Sequence, residues 1–117
     1  MRWAWSTALA IAILGATTTG VESAPAGYPT QALADYVLAC MASNGNTEDA
    51  MRRCSCSIDY IAGKLSYDDY VQAETVLRMQ QVPSGDGRIA MFRTAPWATQ
   101  MVDKLRRAQV EAEVRCF

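Results

Sequence analysis

The sequence contains no histidine. This absence excludes catalytic triads built on histidine, c-type haem attachment through a Cys-x-x-Cys-His motif, and zinc sites with histidine ligands. The chain also lacks a glycine-rich phosphate-binding loop and the Gly-x-Ser-x-Gly motif of hydrolases. We therefore predict a protein that is not an enzyme and that carries no organic cofactor.

A cluster of basic residues is also missing, and the formal net charge is −1. Nucleic acids and anionic membranes attract proteins through concentrated positive charge. A nearly neutral chain has no such attraction, so we predict no nucleic-acid partner.

The N-terminus has the three-part layout of a secretory signal peptide: a positive charge at Arg2, an apolar run (ALAIAILGA), and small residues before a cleavage site. The small-residue rule fits cleavage after Ala26, with Ser23 as the alternative. The apolar run is shorter than the roughly 20 residues that a spanning helix needs, so we predict no stable membrane insertion after cleavage. The prediction is an exported protein, periplasmic or secreted, with residues 1–26 as signal peptide and residues 27–117 as a single helical domain.

The mature chain would keep only about 90 residues, a size that buries roughly 60–65% of the unfolded surface. Such a small domain benefits from covalent cross-links. The chain has four cysteines, an even number, and the predicted export places them in an oxidising environment. Two disulfides are therefore predicted among Cys40, Cys54, Cys56 and Cys116.

The spacing of Cys54 and Cys56 limits how the four cysteines can pair. Residues i and i+2 of a helix point about 200° apart, so these two cannot bond to each other without breaking the helix. Two pairings remain open: Cys40–Cys54 with Cys56–Cys116, or Cys40–Cys56 with Cys54–Cys116. Either pairing ties the second helix to the first helix and to the C-terminal end, and stabilises the fold by about 3 to 4 kcal/mol per disulfide.

Two functional interpretations of the cysteines compete with the structural one. A tetrathiolate metal site needs four converging sulfurs, which a helical Cys-x-Cys does not provide. A redox pair needs a thiolate of low pKa, and Arg52 and Arg53 would favour one. The chain has no Cys-x-x-Cys motif, however, so a thiol–disulfide redox protein is only an alternative hypothesis.

Helix-favouring residues and the lack of period-2 alternation predict an all-α fold, a small disulfide-linked bundle of about four helices. The predicted helices run from Thr30 to Met41, from the NTED segment at 46–49 to Gly63, from Ser66 to Gln81 and from Pro96 to Arg115. Either Asn46 or Thr47 is the predicted N-cap of the second helix, Ser66 is the predicted N-cap of the third, and Gly63 is a predicted helix end. The short segment around Phe92 is assigned to no helix. The predicted buried stripes are Leu33, Tyr36, Val37 and Cys40; Met51, Cys54, Ile58 and Ile61; and Trp97, Met101, Leu105, Ala108 and Ala112.

Three carboxylates, Asp59, Asp68 and Asp69, fall near one predicted helix connection. Clustered oxygens suit hard cations, so this set is a candidate site for a calcium or lanthanide ion. Acidic residues in the first turn of a helix are, however, also what the helix dipole favours.

Three tyrosines, Tyr60, Tyr67 and Tyr70, fall around the same connection. Aromatic rings with a polar end are common at binding surfaces, and they also line the rims of small cores. We take them as a candidate surface for a partner.

The segments CMASNG, CSCSIDYIAGKLSYDDYVQAETV and RRAQVEAEVRCF resemble those of a family of small periplasmic helical proteins of proteobacteria. The resemblance implies a periplasmic, disulfide-bonded helical protein, and it assigns no activity to any residue. It also implies a setting close to pyrroloquinoline-quinone-dependent alcohol oxidation, in which some dehydrogenases use lanthanide ions. The leading hypothesis is thus a non-enzymatic accessory protein that presents a surface to a periplasmic protein partner, with cation binding as an alternative.

Overall fold

The computed structural model describes residues 27–83 and 87–117. The predicted signal peptide, residues 1–26, lies outside the described residues. In the described part of the chain, five helices follow one another: α1 Thr30–Asn44, α2 Glu48–Lys64, α3 Tyr67–Gln81, α4 Gly87–Thr94 and α5 Pro96–Cys116. The predicted all-α fold is confirmed, with one helix more than expected.

Local signals set the beginnings of three helices as predicted. The Thr47 side chain accepts a hydrogen bond from the Ala50 amide at 3.1 Å, and the Ser66 side chain accepts one from the Asp69 amide at 3.2 Å. Pro96 occupies the first turn of α5, where its missing N–H is not needed. These caps satisfy amides that a helix N-terminus leaves without intrahelical partners.

The helix ends and α4 differ from the predictions. Helix α1 continues past Met41 to Asn44 and ends before Gly45, whose φ of 107° suits glycine. Gly63 does not end α2, which continues to Lys64 before Leu65 turns extended and enters the core. The segment around Phe92 forms α4, which hydrogen bonds join to the end of α3. The Gln80 side chain donates to the Phe92 carbonyl oxygen, and the Arg93 side chain donates to the carbonyl oxygens of Gln80 and Val82.

The main core lies where α2, α3 and α5 meet. Its fully buried side chains include Ile61 from α2, Ala73 from α3 and Leu105 from α5. The small residues Ala108 and Ala112 continue the buried face of α5, so neighbouring helices can approach it closely. A second, smaller cluster of Val76, Ala98 and Val102 lies towards α4.

Two residues of the predicted stripes are exposed, and the predicted stripe of α1 is only half-buried. Met51 is 45% exposed and Trp97 is 49% exposed. Both lie in the first turns of their helices, where the neighbouring alanines, Ala50 and Ala98, take the buried positions. The ring of Trp97 instead packs edge-on against Phe92, with 5.9 Å between centroids.

The disulfides are Cys40–Cys54 and Cys56–Cys116, which is one of the two pairings that the sequence left open. All four cysteines are bonded. Helix α2 is consequently joined to α1 through Cys54 and to the end of α5 through Cys56. The opposite directions of the two side chains, predicted from their spacing, are confirmed.

Candidate functional site

A concave surface lies between α1 and α3. Helix α1 packs on α2, and α3 packs on α5, whereas no comparable packing joins α1 to α3 within the described residues. The gap is a groove of about 340 Å³. We call it the tyrosine groove; its lining residues are Ala32, Asp35, Tyr36 and Ala39 of α1, and Tyr67, Tyr70, Val71, Glu74, Thr75 and Arg78 of α3.

Each wall of the tyrosine groove is one face of a helix. The lining residues of both helices follow a spacing of three or four, which places them along a single stripe. A second hollow of about 380 Å³ shares Tyr36, Ala39 and Glu74 with the groove. This extension continues the groove along α1 to Asn44 and towards the end of α5, where Glu113 and Phe117 line it.

The core supports the aromatic side of the groove. Tyr28, just before α1, is 2% exposed, and its ring lies 5.2 Å from the Tyr67 ring and 5.4 Å from the Tyr70 ring. The Tyr28 hydroxyl donates a hydrogen bond to the Leu65 carbonyl oxygen at 3.2 Å. Burial, assisted by the nearby Asp69 charge, raises the pKa of Tyr28 to about 12. The chain before α1 is therefore fixed to the start of α3.

The groove is electrostatically negative around its phenols. Burial raises the pKa of Tyr36, and the charges of Glu113 and Glu74 raise it further. Burial also raises the pKa of Tyr70, again with a contribution from Glu74. Arg78 is the cation of the lining, and its guanidinium pairs with the Glu74 carboxylate at 3.3 Å.

The predicted tyrosines divide between two places. Tyr67 and Tyr70 line the groove together, whereas Tyr60 lies between α2 and α5. The Tyr60 hydroxyl donates to a Glu111 carboxylate oxygen at 2.7 Å, and Lys64 and Arg115 lie over its ring at 5.2 Å and 5.5 Å. The hydrogen bond from Tyr60 and the charge of Lys64 lower the pKa of Glu111. Tyr60 is thus part of an exposed ion-pair cluster.

The three predicted cation ligands do not come together. No group of three or more Asp, Glu, Cys or His side chains suited to a metal ion occurs in residues 27–83 and 87–117. Asp69 forms an ion pair with Lys104 of α5. Asp68 is exposed in the first turn of α3, and Asp59 borders a separate shallow pocket near Cys56. This arrangement gives the predicted calcium or lanthanide site no support.

The cysteines of the alternative redox hypothesis are bonded in pairs. Both cysteine pairs are present as disulfides, and Cys54 is completely buried. Its partner Cys40 is half-buried, as are Cys56 and Cys116. The disulfides fix the positions of α1 and of the end of α5, which form walls of the groove and of its extension.

Sequence reasoning did not identify Asp35, Glu74 and Glu113 as residues of one site. Asp35 and Tyr36 lie next to each other on α1, but Glu74 and Glu113 come from α3 and α5. Their proximity depends on how the helices pack. One signal was available on α1, where Ala32, Asp35, Tyr36 and Ala39 follow the i, i+3, i+4 spacing of one helix face. The prediction used the neighbouring apolar stripe instead and took that stripe as the buried face.

Comparison with protein-family models, with curated protein sequences and with solved structures found no match to this chain. In the described part of the chain, none of the helices has both the length and the apolar character needed to cross a bilayer.

Proposed function

We propose that the protein is a non-enzymatic accessory protein of the periplasm or extracellular space, and that it binds a protein partner in the tyrosine groove. The observation that supports this proposal is the groove itself, in which Tyr36, Tyr67 and Tyr70 line an open surface beside Asp35 and Glu74. Tyrosine supplies a large rigid contact area with a polar end, which suits protein recognition.

The covalent frame supports the same proposal. Cys40–Cys54 holds α1, one wall of the groove, although none of the residues of α1 is buried. A surface that is already fixed before binding loses less conformational entropy when the partner arrives. The cross-link thus favours a preorganised binding surface.

The test is capture of a partner by the tagged, oxidised protein from periplasmic extract, followed by mass spectrometry. We expect reproducible enrichment of at least one protein, and the resemblance to periplasmic proteins near quinoprotein alcohol oxidation makes components of such systems the first candidates. The matched bait is the double variant Cys40→Ala, Cys54→Ala, which frees α1. Enrichment should fall with this bait, and reproducible absence of any enriched protein with the native bait would contradict the proposal.

A further inference from the structure

Two largely buried residues that carry hydroxyl groups line the groove and its extension. Tyr70 is 8% exposed and lines the tyrosine groove, while Ser57 is 3% exposed and lines the extension. Neither hydroxyl has a hydrogen-bond partner among the described residues, and neither oxygen is sealed from solvent. In the free protein these oxygens can bond only to water, which a ligand can replace. These two oxygens are therefore available to a ligand that enters the groove.

The charges that border the same space select the kind of ligand. Asp35, Glu74 and Glu113 contribute three carboxylates, against one guanidinium, Arg78, which is already paired with Glu74. Carboxylates only accept hydrogen bonds, and the hydroxyls of Tyr70 and Ser57 can also accept them. A ligand with several N–H donors and a positive charge would satisfy all of these groups at once.

The shape of the site favours a protein segment over a small molecule. The lining residues of α1 extend from Ala32 to Asn44, a distance of roughly 18 Å along a helix axis. The surface is open along this length, whereas small-molecule sites enclose most of their ligand. Small side chains at Ala32, Ala39 and Ser43 leave room for a backbone to lie close to α1.

We propose that the tyrosine groove and its extension bind a segment of a partner protein that carries lysine or arginine side chains. The ammonium or guanidinium groups donate hydrogen bonds to the Tyr70 and Ser57 hydroxyls and pair with Asp35 and Glu113, and the tyrosine rings provide faces for cation–π contact. This proposal rests on the proposed function, because it specifies the partner surface that the groove recognises.

The test is an NMR titration of the oxidised, exported protein with two synthetic peptides of equal length, Ac-KAAKAAKAAKAA-NH2 and Ac-EAAEAAEAAEAA-NH2. We expect the lysine peptide to shift the amide signals of Asp35, Tyr36 and Glu74, and the glutamate peptide to leave them unchanged. Absence of shifts with millimolar lysine peptide, or shifts confined to the outer face of α5, would overturn the proposal. Spermidine is the third probe, and equal shifts at equal concentration would show a site for free amines instead.

Two variants and one control locate the interaction. Tyr70→Phe keeps the buried ring and removes the hydroxyl, and we expect about tenfold weaker binding of the lysine peptide, the usual effect of losing a hydrogen bond to a charged group. Asp35→Asn changes only an exposed wall residue and should weaken binding by roughly two- to fivefold. Asp103→Asn makes the same charge change on the outer face of α5 and should have no effect. Equal weakening by Asp103→Asn would show a non-specific charge effect and overturn the proposal.

Partner capture separates this inference from the proposed function. If Tyr70→Phe and Asp35→Asn capture a partner as well as the native protein does, the groove is not the binding surface, although the accessory function stands. If the native protein captures no partner, the accessory function fails, and the peptide titration alone decides whether the groove binds basic segments.

Discussion

Helices α1 and α4 have one property in common and differ in how they are held. Neither contains a buried residue. Helix α1 is joined to α2 by Cys40–Cys54, and Tyr28 anchors the chain just before it. Helix α4 is held by polar contacts, in which the Gln80 side chain donates to the Phe92 carbonyl oxygen at 2.8 Å, and by the packing of Phe92.

The difference shows where a small domain uses its covalent bonds. A helix without buried side chains gains little from the hydrophobic effect, so another interaction must offset the entropy lost on ordering it. At α1 this interaction is a disulfide, and α1 forms a wall of the tyrosine groove. At α4 it is a set of hydrogen bonds that water can replace, so we infer that α4 opens more readily than α1.

The largest effects are expected when a disulfide is removed, and removal of Cys40–Cys54 is the change that acts selectively on α1. The variant Cys40→Ala, Cys54→Ala opens a loop with a sequence separation of 14. We expect the free energy of unfolding to fall by about 3 kcal/mol and the α1 amides to exchange as fast as those of α4. Urea unfolding and hydrogen–deuterium exchange measure the two effects.

The matched control is Cys56→Ala, Cys116→Ala, which opens a loop with a sequence separation of 60. It should lower the free energy of unfolding by about 4 kcal/mol, while the exchange of α1 changes no more than that of the whole domain. Two results would contradict the role assigned to Cys40–Cys54. One is selectively faster exchange of the α1 amides in this control, and the other is unchanged exchange of the α1 amides in the Cys40→Ala, Cys54→Ala variant.

An intermediate effect is expected at α4. Gln80→Ala removes the donor to Phe92 and should lower the free energy of unfolding by about 1 kcal/mol. The α4 amides should exchange faster, and those of α1 should not change. The control is Gln72→Ala, an exposed glutamine of the same helix α3; if it accelerates α4 exchange as much, the contact with Phe92 is not what holds α4.

An effect that is absent at neutral pH is expected at alkaline pH and concerns the anchor before α1. The pKa of Tyr28 is raised from 10.0 to about 12 in the folded protein, so the folded state keeps its proton where the unfolded state loses it. The contribution of neutral Tyr28 is therefore complete below pH 10 and is lost as the pH rises towards 12. Stability measured by urea unfolding should decline in this window, with exchange at the start of α1 increasing first.

Tyr28→Phe tests the assignment of this decline. The variant loses the hydrogen bond to Leu65 at neutral pH and should show a shallower decline above pH 10. An unchanged slope would assign the alkaline loss to the other buried tyrosine, Tyr70, whose pKa is also raised.

Much of the fold follows from short-range signals that the sequence shows directly. Helical periodicity and the caps at Thr47 and Ser66 depend on residues within one turn, which is why the helix starts were predicted closely. The divergence of Cys54 and Cys56 also follows from helix geometry alone. Helix α4 was not predicted because its stabilising hydrogen bonds join it to another element. The Gln80 side chain of α3 donates to α4, and the Arg93 side chain of α4 donates to the end of α3.

The candidate site was predicted only in part, for the same reason. Tyr67 and Tyr70 lie three residues apart on one helix, so their shared face could be predicted. Tyr60 was placed with them because it is near in sequence, but its direction on α2 turns it towards Glu111 of α5. The predicted cluster of Asp59, Asp68 and Asp69 did not form, and Asp69 pairs with Lys104 instead.

Spacing within single helices is enough to predict the helical class, the caps and the opposite directions of Cys54 and Cys56. The even number of cysteines, with the predicted export, is enough to predict two disulfides. The pairing of the cysteines depends on the tertiary structure, and so does the placement of Asp35, Glu74 and Glu113 around the tyrosine groove and its extension. The cysteines and the three acidic residues belong to different helices. The relative positions of those helices are set by the packing of α1 on α2 and of α3 on α5, and by the disulfide at Cys54.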